Sequence, residues 1–440
     1  MKPAYIFVFL VLATGWQGCT RTHTELSEQL NKVIAPLPEG SPLDYSKRYF
    51  KRLLSWENYS VIGLGEGTHG TMDFFELKQG LFKFLVEEHQ CRTLAYEYSY
   101  RKSLYINDYI HHKHDHLDSL FRGDLWIQDN ETIRQFIFWM REYNEGKEEQ
   151  EQLHFIGIDN QVDALKMDEV LDQIQAYLPA YKLDRASLPY NVAGKKKVKY
   201  KDMSGDQYEA LKESIFMLRK HLEAHAKTYS GQKERSNAAV AINLLRALED
   251  SHKFLFLLSA GGKNIRDRQL ARNVLRIVHE TNGKNPVAVW AHNAHVAKNP
   301  FYTSDGSPAM GWYLYESLGE KYLSIATSFS LGQFTAVLLD SAGNDTAPLT
   351  CQIRQEPPEA SLNALFHQAG FPQFSLNIRK LDPEDSLFRY FDKERPLIGV
   401  GDLYLGSPEL HFTDDRIINL VQAHDLLFYF RDTRPLLQNQ

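Results

Sequence analysis

The sequence predicts an α/β fold: a central, mostly parallel sheet flanked by helices and interrupted by a helical insertion. Three observations carry that expectation. Short apolar runs alternate with longer stretches of three- and four-residue periodicity. Most of the runs are continuously apolar, as strands covered on both faces should be. Four of them lead into acidic or imidazole side chains, at the strand ends where open parallel sheets hold their ligands.

The strand candidates are Val61 to Gly65, Thr93 to Tyr98, Leu153 to Ile158 and Val287 to Ala291, then Tyr322 to Thr327, Thr335 to Leu339, Leu397 to Val400 and Leu426 to Phe430. Helical spacing marks residues 73–89, 131–145, 163–178, 205–228, 233–252, 266–281, 308–318 and 359–370; Phe74, Phe75, Leu81, Phe82 and Leu85 show it well. The third and fourth strand candidates are separated by more than a hundred residues of helical pattern. A helical insertion is therefore expected over about 163–262, with a basic connector at Gly194 to Lys201.

With 440 residues the chain can bury a sizeable core, in one large domain or two. Hydrophobic content of 43% and charged content of 24% exclude a disordered or collagen-like chain. Net charge is −6 and no long basic stripe occurs, which argues against a nucleic-acid partner. The three cysteines, Cys19, Cys91 and Cys351, contain no CxxC pair, so a zinc-thiolate site is not expected.

Lys2 followed by the apolar run Ala4 to Ala13 has the layout of a secretory signal, too short for a bilayer-spanning helix of about 20 residues. Gly18-Cys19 resembles a lipoprotein cleavage box, although Trp16 and Gln17 depart from its usual residues. The expectation is a signal over 1–19, lipidation at Cys19, a polar tether over 20–44, and an envelope-anchored protein facing the periplasm.

The segment Val61 to Gly70 (VIGLGEGTHG) reads as strand, glycine turn and helix start, with Thr68 available as a cap and Asp73 in the first turn. This puts Glu66 and His69 in the turn. Glu97 ends the second strand, Asp159 follows the third, and His292 and His295 follow the fourth, so four segments deliver acids and imidazoles to one sheet edge. Singly, each has a bland reading as a capping or loop residue.

Gly65 to Gly70 also matches GxGxxG, but Glu66 would set a carboxylate against a pyrophosphate, and Glu97 lies farther on than the ribose acid's spacing of about 20 residues. Dinucleotide binding is therefore disfavoured. The same carboxylates and imidazoles could ligate zinc or manganese, although no HExxH helix occurs, and the stretch His111 to His116 reads as a solvated helix end. No GxSxG elbow is present.

These motifs resemble the erythromycin esterase family. GLGEGTHG with Phe74-Phe75, the strand ending at Glu97, Gly157 to Asp159, Arg266-Asp267 with Asn273, and Val289 to Val296 (VWAHNAHV) match its successive signatures. Met310-Gly311, Leu318-Gly319 and the Asp425 region are similar to its later landmarks. The resemblance covers about 45–435 and implies an ester hydrolase without a serine nucleophile or a required cofactor. It makes His69 the general base and Glu66 its carboxylate partner, with Glu97, His292 and His295 in the catalytic cleft and Arg266, Lys78 and Asp159 as substrate contacts. A small-molecule ester is the implied substrate, a macrolactone being one candidate and antibiotic resistance its consequence. A metal-dependent hydrolase and a non-catalytic lipoprotein holding a haem-type ligand stay open. Lys78 stands where the family often has Arg, Asp73 where it usually has Glu, and Leu270 where Met is common.

Overall fold

A computed structural model describes residues 24–117, 121, 126–159, 167–182, 185, 204–259, 265–281, 283–300, 306–411 and 417–436. The expected signal with Cys19 and the expected connector at 194–201 lie outside the described residues. Among the described residues no helix is long and apolar enough to cross a membrane.

The strands in chain order are β1 (Ile34–Pro36), β2 (Val61–Glu66), β3 (Thr93–Ser99), β4 (His154–Asp159), β5 (Val287–His292) and β6 (Tyr322–Ala336). They continue as β7 (Leu349–Ile353), β8 (Gln373–Asn377), β9 (Arg395–Pro396), β10 (Ile417–Ile418) and β11 (Leu426–Thr433). The helices begin with α1 over 24–33, α2 (Lys47–Lys51), α3 (Met72–His89), α4 (Tyr100–Ile110), α5 (Glu131–Asn144), α6 (Met167–Tyr177) and α7 (Gly205–Ala226). After them come α8 (Gln232–Ser259), α9 (Arg266–Glu280), α10 (Asn293–Val296), α11 (Met310–Leu318), α12 (Leu362–His367), α13 (Ser386–Phe391) and α14 (Leu420–Ala423).

The chain divides into two compact bodies, Met1–Cys91 with Gly123–Phe138 and Thr281–Gln440, and Arg92–Arg122 with Trp139–Glu280. The fold is α/β, with a mostly parallel central sheet between helices. In the first body the strand order is β1-β8-β11-β6-β2-β5. The pairs β11–β6, β6–β2 and β2–β5 are parallel, and antiparallel β8 and β1 extend the β11 side. Burial of every residue in β2 and β5 explains their unbroken apolar sequences.

The second body pairs β3 and β4 in parallel and packs α4, α6, α7 and α8 around a cluster that includes Leu104, Leu171, Ile215, Leu222, Leu244 and Leu248. It contains two sheet strands as well as helices. A full capping box at Ser204, with Gln207 at the third position, starts α7.

Residues 24–44 are not a simple tether. Leu26, Leu30 and Ile34 are buried in the core that also holds Phe366, Phe374 and Tyr429, and β1 pairs with β8. Helical spacing of Leu26 and Leu30, read as polar chain from composition, is what seats this segment. Two strand expectations also change. Thr335 belongs to β6, a single 15-residue strand beginning at Tyr322. Residues Leu397 to Val400 make only an isolated bridge, Val400 to Thr68, so their apolar character reflects burial without a ladder.

Replacing fully buried Leu30 by alanine is expected to lower unfolding stability by about 2–5 kcal/mol in chemical denaturation. A tether residue would leave the midpoint unchanged.

Candidate active site

The site in the first body begins with the packing of β2. A Cβ on Gly65 would lie 2.5 Å from Asn293 Oδ1 and 2.7 Å from the Ile325 carbonyl oxygen, so only glycine lets β2 approach its neighbours there. Parallel register then sets Glu66 beside His292, the last residues of β2 and β5. The turn after Glu66 is tied down by hydrogen bonds. Gly67 N donates to Thr327 Oγ1 at 3.1 Å, while Asn293 holds Thr327 through its carbonyl at 2.7 Å and its N–H at 3.2 Å. The Gly70 carbonyl accepts from Thr335 N and Leu436 N, each at 2.8 Å.

Thr68 is not the helix cap: its Oγ1 accepts from Gly70 N at 3.1 Å inside the turn, and α3 starts after Thr71. Asp73 in the first turn of α3 accepts from Arg434 N at 2.7 Å and Arg434 Nε at 2.9 Å, fastening the chain that follows β11.

The Glu66 carboxylate is 2% exposed, and such a charge survives burial only if it is paired. Its Oε2 accepts from Lys78 Nζ at 2.6 Å and from Trp290 Nε1 at 3.1 Å, and its Oε1 lies 2.6 Å from His69 Nδ1. Burial pushes the carboxyl upward, but Lys78 and His69 outweigh it and hold Glu66 below the usual carboxylate range. Lys78 is itself buried, donates also to the Ala291 carbonyl at 3.3 Å, and lies 4.4 Å from the Trp290 ring centroid. Lys78, expected among the substrate contacts, is the counter-charge of Glu66. Its position two turns into α3 aims it back at the strand end, which sequence spacing alone does not show.

His69 remains partly open, with 16% of its side chain exposed. Donation from Nδ1 to Glu66 leaves Nε2 as the basic nitrogen. The His292 ring centroid is 5.1 Å away. Since His292 Nδ1 accepts from Ala294 N at 3.2 Å, its neutral ring carries the proton on Nε2 and can donate from there. His295, one short helical step on in α10, is partly exposed.

The other three expected residues form a second cluster in the second body. Arg266, the first residue of α9, donates from Nη2 to Glu97 Oε1 at 2.6 Å and to Asp159 Oδ2 at 2.7 Å, and its Nε contacts both Asp159 oxygens at 3.2 Å. Burial pulls the Arg266 pKa down, but the two carboxylates hold the guanidinium protonated well above its ordinary range. Asn273 Nδ2 anchors α9 to the Ile158 carbonyl at 2.8 Å. Sequence reasoning missed Trp290, Thr327 and Asn293 as parts of the first cluster. Trp290 and Asn293 lay inside WAHNAH and could have been found there; Thr327 closed the expected strand Tyr322 to Thr327 but brought no acid or imidazole to mark it. Among the described residues no three His, Cys, Asp or Glu side chains are placed to hold a metal ion.

The sequence profile of the erythromycin esterase family matches residues 86–433. The chain belongs to this family. It is similar to erythromycin esterase type II of Escherichia coli, 25% identical over 350 residues that span 74% of this chain and 82% of that one. A Bacillus cereus protein of known crystal structure superposes with a TM-score of 0.78 at 20% identity, covering 95% of this chain and 99% of its own. A mutant of the erythromycin esterase EreC superposes with a TM-score of 0.62 at 16% identity, covering 91% and 98%. These structural likenesses establish the fold, and erythromycin esterase membership points to a hydrolase of ester bonds. Glu66, His69 and Lys78 precede the matched span, so their grouping rests on the geometry above.

Substituting Lys78 by Met strands the Glu66 charge, with an expected loss of about 3–5 kcal/mol at neutral pH. In the parent, the lowered Glu66 pKa contributes stability above the usual carboxylate range that is lost as pH falls through the lowered value. In the variant the carboxyl protonates sooner, so the deficit should be largest at neutral pH and shrink on acidification. Denaturant melts across pH would measure this; a pH-independent deficit would contradict it.

Proposed function

We propose that this erythromycin esterase family member cleaves a carboxylic ester by attack of water that His69 deprotonates. The observation that supports this most is the 2.6 Å contact between His69 Nδ1 and a buried carboxylate already charge-balanced by Lys78. Glu66 orients the ring and stabilises the imidazolium that forms when Nε2 takes a proton from water. Attack on the ester carbonyl gives a tetrahedral oxyanion. We assign the hydrogen bond to that oxygen to His292, whose ring lies beside His69 and whose Nε2 is the donor nitrogen. Collapse of the intermediate expels the alkoxide, which takes the proton back from His69.

Serine attack is not part of the scheme. Ser324 does bond His424, Oγ to Nδ1 at 2.9 Å, yet both residues are buried and the hydroxyl also contacts the Val296 carbonyl at 2.7 Å. That pair is a piece of the core. Macrolactones belong in the first substrate panel because the Escherichia coli relative is an erythromycin esterase.

Hydrolysis of macrolactones and of simple aryl and alkyl esters should persist in the presence of a chelator and fall by about 10²–10⁴ in kcat in His69→Ala. Steady-state kinetics on the panel tests both parts. Turnover equal to the parent in the variant would remove His69 from the mechanism, and loss with chelator would replace it by metal-assisted attack.

A further inference from the structure

The geometry points to a second binding site in the first body, an anion pocket for a phosphate-bearing small molecule, at the end of the sheet away from His69. A cavity of about 410 Å³ is lined by Lys51, Arg52, Tyr59, Asn377, Arg379 and Lys380, with Leu54, Ser55 and Asn58 completing the wall. Its volume falls within the range of small-ligand sites, about 300–1,000 Å³. Tyr59 lies two residues before β2, and Asn377 is the register partner of Leu426, the first residue of β11. Both mark the N-terminal edge of the parallel strands. Glu66 is at the other end of β2, about 16 Å away at ~3.3 Å per residue. The pocket is therefore distinct from the hydrolytic site.

Four cations and no carboxylate face this cavity. Two of them are balanced from outside it: Arg379 by Glu320 at 2.6 Å and Asp425 at 3.2 Å, and Lys51 by Glu88 at 2.5 Å. Arg52 and Lys380 have no ion-pair partner among the described residues. The wall is also built to hold its shape. Asn377 Nδ2 donates to the Leu53 carbonyl at 2.7 Å, Trp56 Nε1 to the Phe50 carbonyl at 2.8 Å, and the ion pairs of Arg379 fix its guanidinium. A multiply charged anion suits two unbalanced cations better than a single carboxylate does, and guanidinium forks match phosphate oxygens bidentately. The Tyr59 hydroxyl adds a neutral donor.

Calorimetric titration of the full chain with inorganic pyrophosphate, at fixed ionic strength, should show one saturable site. The double variant Arg52→Ala/Lys380→Ala should weaken it by about tenfold or more, equal to ~1.4 kcal/mol. Both positions are exposed, so the fold should survive, and Arg52→Lys/Lys380→Arg should retain binding. Co-sedimentation with phosphatidylcholine vesicles, with and without phosphatidylglycerol, separates the sources. Variant-sensitive binding only to the anionic vesicles assigns a lipid headgroup, and binding only to pyrophosphate assigns a free phosphate compound. Absence of saturable binding to both probes, or equal binding by parent and double variant, overturns the site.

Discussion

One buried charge organises the candidate active site. Glu66 is removed from water at the end of a strand enclosed on both faces, and the desolvation of a carboxylate there is too costly to leave uncompensated. Three elements meet that requirement at once: α3 supplies Lys78, β5 supplies Trp290, and the turn after β2 supplies His69. The close approach at Gly65 and the register between Glu66 and His292 follow from the same packing. Because the hydrogen bonds around Glu66 are mutually dependent, the imidazole is held by the fold and not by a mobile loop side chain.

The second body solves a similar problem with the signs reversed. There the cation is the partly buried Arg266, and Glu97 and Asp159 at the ends of β3 and β4 balance it. A guanidinium can engage both acids because its donors form a planar fork, which a lysine could not reproduce. Strand-end position singled out Glu97 and Asp159 and the family resemblance added Arg266, whereas their geometry shows first that they satisfy one another.

Other buried polar groups tune stability without facing a site. His424 and His252 are pushed down to about 3 and His154 to about 4, chiefly by burial. Each must fold neutral. The unfolded chain takes up these protons once pH drops below about 6.5, so their contribution is complete above that value and is lost as pH falls toward the depressed values. This sets an acid limit on the fold that is separate from the chemistry at His69.

The sequence by itself determined the α/β class, the main parallel strands, and the strand-end positions of Glu66, His69, Glu97, Asp159 and His292, because continuous apolar runs and glycine turns are local signals. It also carried the family resemblance through GEGTHG and WAHNAH. Tertiary structure alone decided the rest. Lys78 became an internal counter-ion because α3 turns it under Trp290, and residues 24–36 became core because β8 offered a partner edge and the body a hydrophobic seat. Strands β1, β7 and β8 escaped notice for the same reason: short segments pair where a neighbour's backbone is exposed, and that neighbour lies far along the chain. Charge balance and edge pairing are relations between distant residues, so no local pattern encodes them.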